Sequence, residues 1–389
     1  MKILENALIY TMTEEPFSGG IAVDGGIISE IARGVINIDA EERIDLKGAV
    51  LTPGFIDAHT HQGLFQGDIG WAGMDGNEKT DPVTPQMRAI DAINPEDPGI
   101  IEAPSGGVTT INTGPGSANV FGGLFCTMKT SGRIVDEMIL KNPSCLKIAL
   151  GENPKAVYGK NEKAPQTRMA IASLLRDWFF RAQDYQAKRA ESRRREGSEP
   201  EKKPDFDLRL EVLEAALRRE IPVHAHCHRA DDIVTAIRIS EEFNLDLVLI
   251  HATEGHKVAD YIAAKKVPAV VGPSYVGREK VELRDISFKT PGILAEAGVL
   301  VCLQSDTFPP LTYFQSILCM AIKEGMDRYK ALQAVTIHPA RVLGIDARVG
   351  SIEKGKDADL VVWSGDPADF YSRVMMSFIN GRMVYSSIR

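Results

Sequence analysis

No two cysteines in this 389-residue chain stand in a CxxC spacing, and the five present (Cys126, Cys145, Cys227, Cys302 and Cys319) are scattered. That excludes a zinc site built on thiolates and argues against a disulfide framework. It suits buried free thiols in a reducing compartment. No run approaches the ~18 apolar residues that a membrane-spanning helix needs. The opening MKILENALIYTMTEEP is broken by Glu5 and Asn6 and lacks the apolar stretch of a secretory leader, so a cytoplasmic protein is expected. Positive charge is in deficit: 45 Lys and Arg against 53 Asp and Glu leave a net charge of −8. Neither a nucleic acid nor an anionic membrane is expected as a partner. Phosphate-loop chemistry is missing too. TGPGSANVFGG lacks the third glycine of GxGxxG, no GK[ST] follows it, and it reads as a loop beside a functional site.

What remains is a globular mix, 44% hydrophobic and 25% charged, long enough for one large barrel or two to three ordinary domains. Both ends are β-rich. The first fifty residues alternate in short segments with glycine pairs at turns, and Asn380-Gly381 between two apolar runs predicts a hairpin. Between the ends, apolar strands alternate with helical patterns over roughly 280 residues. This argues for a parallel sheet covered by helices, a (β/α)8 barrel, with a doubly wound sheet as the runner-up. Residues 64–105 read as a long loop. An amphipathic helix runs through 164–206 into KRAESRRREGSEPEKKPDFD, whose mixed charges suit a solvated end and an exposed loop.

The stretch LTPGFIDAHTHQG ends an apolar strand in His59-Thr60-His61. Residues i and i+2 of a strand share a face, so the two imidazoles converge as half of a metal site. The other histidines follow the same rule. His224 and His226 end IPVHAHC, His251 ends LDLVLIH, and Asp306 ends GVLVCLQSD. Barrel sites lie at the C-terminal ends of strands, so four strands deliver ligand-type side chains to one rim.

PGFIDAHTH, LIHATEG, LQSD and the closing TIHPARVLGIDARVGSIEKGKDADLVVW resemble the metal-dependent amidohydrolase superfamily, and within it the imidazolonepropionase-related amidohydrolases. The resemblance covers nearly the whole chain. It implies a (β/α)8 TIM-like barrel over residues 54–340, with a small β-sandwich domain built from residues 1–53 and 341–389. By it, His59 and His61 match the first-strand metal ligands, His224 the fifth-strand ligand, His251 the sixth and Asp306 the eighth. HAHCH offers more histidines than the pattern needs. His224 fits best, His226 shares its face as the fallback, and His228 is expected in the loop over the site. His256 reads equally as a substrate contact or as part of a first helical turn, and His338 as capping and packing.

A second ion about 3.5–4 Å from the first needs a bridging anion. CLKIALGENP offers Lys147, which would bridge once carboxylated, or Glu152 instead, with Lys147 preferred. GPSYVGREK supplies Tyr275 and Arg278, the latter able to grip a substrate carboxylate. The expected activity is hydrolysis of a C–N bond in a small amide or cyclic amide through a metal-activated hydroxide. The cofactor would be one or two divalent ions, zinc by the nitrogen-rich donor set. Asp306 would accept the proton of the attacking water and pass it to the leaving nitrogen. The alternatives are a mononuclear deaminase or imidazolonepropionase-like ring opener, a prolidase-like dipeptidase, and a non-catalytic structural relative. The expected partner is a small-molecule substrate, and homo-oligomerisation is left open.

Overall fold

A computed structural model describes residues 1–66, 69–194 and 205–388. Eight strands follow one another in sequence order through one sheet: Phe55–Thr60, Val108–Thr113, Phe121–Lys129, Ile139–Ala149, Val223–Cys227, Leu247–His251, Ala269–Val271 and Val301–Leu303. The first and last are joined by a bridge between Thr60 and Asp306. Asp306 N–H donates to His59 O at 3.1 Å and His61 N–H to Asp306 O at 3.0 Å. The sheet therefore nearly closes on itself as a TIM-like barrel. Every residue of Phe55–Thr60, Val223–Cys227 and Leu247–His251 is buried, as strands covered on both faces require.

One strand departs from the regular (β/α)8 expectation. Phe121–Lys129 runs antiparallel to both its neighbours, while the other adjacent pairs are parallel. The connection from the second strand, residues 114–120, is shorter than the dozen or so residues a parallel crossover takes, so the chain can only turn back. The long loop expected over 64–105 carries only short turns of helix, such as Gly70–Gly73 and Ala89–Asp91. Further on, a helix spans Arg168–Arg194; the exposed loop expected after it falls largely on 195–204, outside the described residues.

Strands from both chain ends form a second sheet, in the order Arg382–Ser386, Val374–Ile379, Leu360–Trp363, Val50–Pro53, Lys2–Ile9, Phe17–Asp24 and Ile27–Arg33, with Glu42–Asp45 paired to Lys2–Ile9. Asn380 and Gly381 both take positive φ (49° and 69°) at the predicted hairpin, as the mirror-image turns of tight hairpins require. Leu4, Ile9, Leu51, Leu360 and Phe378 pack as a core of their own. Two contacts tie this sheet to the barrel. Trp363 stacks 5.0 Å from Phe55, the first residue of the first barrel strand. The Trp363 ring leaves room only for glycine at position 107 (φ +80°), where a Cβ would come within 2.9 Å. At the end of the third barrel strand, buried Lys129 donates to Asp357, Asp359 and Asn380 at 2.7–2.8 Å. No helix among the described residues is long and apolar enough to cross a membrane.

Candidate metal centre

Alternation along the first barrel strand puts Asp57, His59 and His61 on one side, and the seam with Asp306 brings a second carboxylate to the same place. His61 Nε2 lies 3.1 Å from Asp306 Oδ1, and His59 Nε2 lies 3.8 Å from it. His61 Nδ1 is 2.7 Å from the carbonyl of Gly114, in the glycine-rich loop. A carbonyl only accepts, so Nδ1 donates to it, which turns Nε2 toward Asp306. His59, His61 and Asp306 thus aim three ligand-type atoms at one place.

A second group adjoins the first, the His251 ring lying edge-on 5.8 Å from that of His59. His226, His228 and His251 each offer a nitrogen, the three lying within 4.8 Å of one another, as do the donors of His59, His61 and Asp306. His251 Nδ1 is 2.7 Å from the Gly272 carbonyl, which leaves Nε2 bare in a ring that burial keeps neutral, and Gln304 donates to that carbonyl at 2.6 Å. A metal-binding histidine commonly anchors its other ring nitrogen in this way. His251 and Asp306 take positive φ (73° and 61°). A non-glycine residue held there costs about 1–3 kcal/mol, a strain that collects at functional sites.

Burial keeps these rings neutral, as ligands must be. Desolvation pushes His59, His226 and His228 well below the ordinary imidazole range. It takes His251 down to about 4 and His224 to about 3. Lys147 is fully buried with its Nζ 2.9 Å from His59 Nε2, and desolvation lowers it to about 8. Burial alone would raise Asp306, but the hydrogen bond from His61 and the surrounding cationic groups hold it below the usual carboxylate range.

The sequence favours His224 as the fifth-strand ligand, but the donor cluster contains His226. Both share a face, but His226 is nearer the C-terminal end of the strand, its ring 4.5 Å from that of His251. His224 pairs in register with Lys147 one layer deeper, and neither of its nitrogens has a hydrogen-bond partner among the described residues. Glu152 opens the helix Glu152–Gly159 and reaches this region through its backbone N–H, which donates to Glu282 at 3.0 Å. Among the described residues, no hydrogen bond or ion pair links its carboxylate to the histidines.

His228 lies in the cluster rather than merely over it, its Nδ1 2.7 Å from Thr253 Oγ1. His256 is half-buried against Thr290 at 3.1 Å. Tyr275 donates to Ser316 O at 3.1 Å and packs edge-on against Phe288. Arg278 is exposed and pairs with no described residue. His338 bonds Val301 O at 2.9 Å, a packing role.

Three contributors were not singled out from the sequence. Asp57 accepts from Ser305 and from His59 N–H beneath the first cluster, and desolvation raises it to about 7. Its signal was the DAHTH alternation itself. Phe125 stacks on His59 at 4.9 Å. Glu282 is 1% exposed and stands 3.8 Å from His228 Nε2 and 4.0 Å from His226 Nε2.

Residues 50–386 match the model of the amidohydrolase family. The chain belongs to that family. As a member, it is a hydrolase acting on C–N bonds, and its His/Asp clusters are candidate metal-binding groups. This amidohydrolase is 44% identical to an amidohydrolase from Thermotoga maritima MSB8, with a TM-score of 0.94 over 99% of this chain and 100% of that one. It is 30% identical to amidohydrolase tasK of Hapsidospora irregularis over 97% of its own length, and spans only 42% of that relative. An imidazolonepropionase of Legionella pneumophila (strain Lens) is 22% identical over 84% of this chain and 81% of its own.

Proposed function

We propose that this chain is a metal-dependent hydrolase of C–N bonds in small amides or cyclic amides. The observation that carries the reading is the convergence of His59, His61 and Asp306, whose ligand-type atoms lie within 4.8 Å of one another at the barrel mouth. His59, His61 and Asp306 would hold one divalent ion, and His226 and His251 a second, zinc by the nitrogen-rich donors. Lys147 is the candidate bridge. Its amine, lowered to about 8, would add to CO2 and lose a proton, and the resulting carbamate would supply the bridging anion. Bound there, the metal supplies a water of lowered pKa and polarises the scissile carbonyl.

The chain's own residues do the rest. Asp306, 26% exposed at the mouth of the cluster, orients the attacking water, accepts its proton and delivers it to the leaving nitrogen. Gly114 and Gly272 carbonyls keep His61 and His251 in the tautomers that face inward. His256 and Tyr275, on the loops above, would contact a small-molecule substrate, and Arg278 would reach it only if the substrate extends to the solvent-facing rim. The resemblance to imidazolonepropionases supports a second reading, a ring-opening hydrolase that works with one ion at the first cluster.

The test is hydrolysis of a panel of N-acyl amino acids, dipeptides, lactams and hydantoins by zinc-loaded protein. Turnover that disappears on chelation and returns with Zn²⁺ is expected. Turnover indifferent to chelation, or none across the panel, overturns the proposal.

A further inference from the structure

We propose that His228 is a ligand of the second metal position, so that His226, His228 and His251 hold an ion there without needing Lys147. The proposal rests on the metal-dependent reading above and adds a donor to it: the family resemblance supplies this position with one histidine from the fifth strand, one from the sixth, and a bridge.

The geometry gives His228 the features of a ligand. Its ring is buried and stacks on His251 with centroids 4.5 Å apart and planes at 14°. Its Nδ1 is anchored on Thr253 Oγ1, as His251 is anchored on Gly272. One nitrogen from each of the three rings lies within 4.8 Å of the others, a cluster that a zinc ion bonded at about 2.0–2.1 Å to each would draw closer together.

Glu282 is the independent observation. Its Oε2 accepts from Glu152 N–H at 3.0 Å. Its Oε1, fully buried, has no hydrogen-bond partner among the described residues, with Lys280 Nζ 3.9 Å away. That oxygen faces His226 Nε2 and His228 Nε2 at 4.0 and 3.8 Å. Asn153 Nδ2 lies 3.4 Å from His226 Nε2 on the same side. A fully buried oxygen with no hydrogen-bond partner among the described residues, aimed at two imidazole nitrogens, is accounted for by a ligand seated among them.

The experiment counts metal. Apo-protein prepared in bicarbonate-free buffer is reloaded with buffered Zn²⁺, and separately with Co²⁺. Bound metal is measured by mass spectrometry, and the ligand field of Co²⁺ by visible absorption. The native chain should take two ions, Lys147→Met two, and His228→Asn one, with the Co²⁺ spectrum losing the component of the second position. Glu282→Gln should raise the free Zn²⁺ needed to fill the second position by about 10–100-fold, the usual cost of losing a group that supports a metal site. Thr253→Val, which keeps the imidazole but frees its Nδ1, should weaken the second ion alone, and it decides the matter together with Glu282→Gln if His228→Asn fails to fold. Two ions of unchanged affinity in His228→Asn, or in both the Glu282 and Thr253 variants, overturn the proposal, as does a fall to one ion in Lys147→Met. A single ion in the native chain, kept by His228→Asn and lost with His61, overturns it while leaving the metal-dependent hydrolase standing. No ion at all overturns both.

Discussion

The two donor clusters at the mouth of the barrel differ in where their charge comes from. In the first, Asp306 is spliced into the seam that closes the sheet, bonded through its backbone to both His59 and His61. Its carboxylate touches His61 at 3.1 Å. In the second, the three rings are neutral, and the nearest carboxylate, Glu282, arrives from the irregular segment between the seventh and eighth strands. Paired opposite charge is worth most where it is fixed and dry. On the proposed reading, the first position is the one with a carboxylate built into its donor set, and the second relies on histidines with a loop carboxyl nearby.

The largest effect that follows concerns Asp306→Asn. The amide keeps an oxygen toward His61 but cannot accept a proton, so kcat should fall about 10²–10⁴-fold. The first ion should be retained, because His59 and His61 remain. Kinetics on any substrate found, beside metal analysis, check both halves. Near-native kcat would show that the two clusters are not divided into a chemical and a supporting half.

The second prediction turns the neutral rings into a pH dependence. A histidine whose folded pKa lies below its unfolded value of about 6.5 stabilises the fold only while the unfolded chain is also unprotonated. That stability is complete above pH 6.5 and is lost as pH falls toward the folded value. For His251, lowered to about 4, the loss is on the order of 3 kcal/mol by pH 4. His226 and His228 shift in the same direction, as do His59 and His224, so the buried rings together should drive acid destabilisation of the metal-free protein, the second cluster contributing three of them. Thermal unfolding of chelated protein from pH 7 to 4 should show a steep decline, and His226→Gln should flatten it. An unaltered slope in His226→Gln would mean that the second cluster does not carry the effect.

How much of this was legible in the sequence follows the same division. His59, His61, His251 and Asp306 were readable because each closes a recognisable apolar strand, and strand ends in a barrel share a rim. HAHCH was ambiguous for a physical reason: alternation treats positions 224, 226 and 228 alike, and only depth along the strand separates the buried His224 from the two that join the donors. Glu282 was out of reach, because nothing in VGREKVELRD marks which charge is buried; its placement depends on the backbone of Glu152. The antiparallel third strand was hidden by its glycine-rich lead-in, although the short connection before it already ruled out a crossover helix.

The smallest expected effect lies in the segment that delivers Glu282. Arg278 stands four residues before Glu282, exposed and without a described partner, whereas Glu282 is 1% exposed. An exposed side chain with no partner typically changes stability by no more than about 0.5 kcal/mol when replaced. Arg278→Met should therefore leave the melting temperature and both metal positions as they are, in contrast to Glu282→Gln, which should loosen the second position selectively. Its one route to a larger effect is direct contact with substrate, because a guanidinium grips a carboxylate through two parallel hydrogen bonds. KM values for acidic and neutral substrates of matched size separate the cases. With Arg278 projecting to solvent, the two should change equally and little; a rise in KM confined to the acidic member would show that the outer residues of this segment reach the substrate while Glu282 serves the metal.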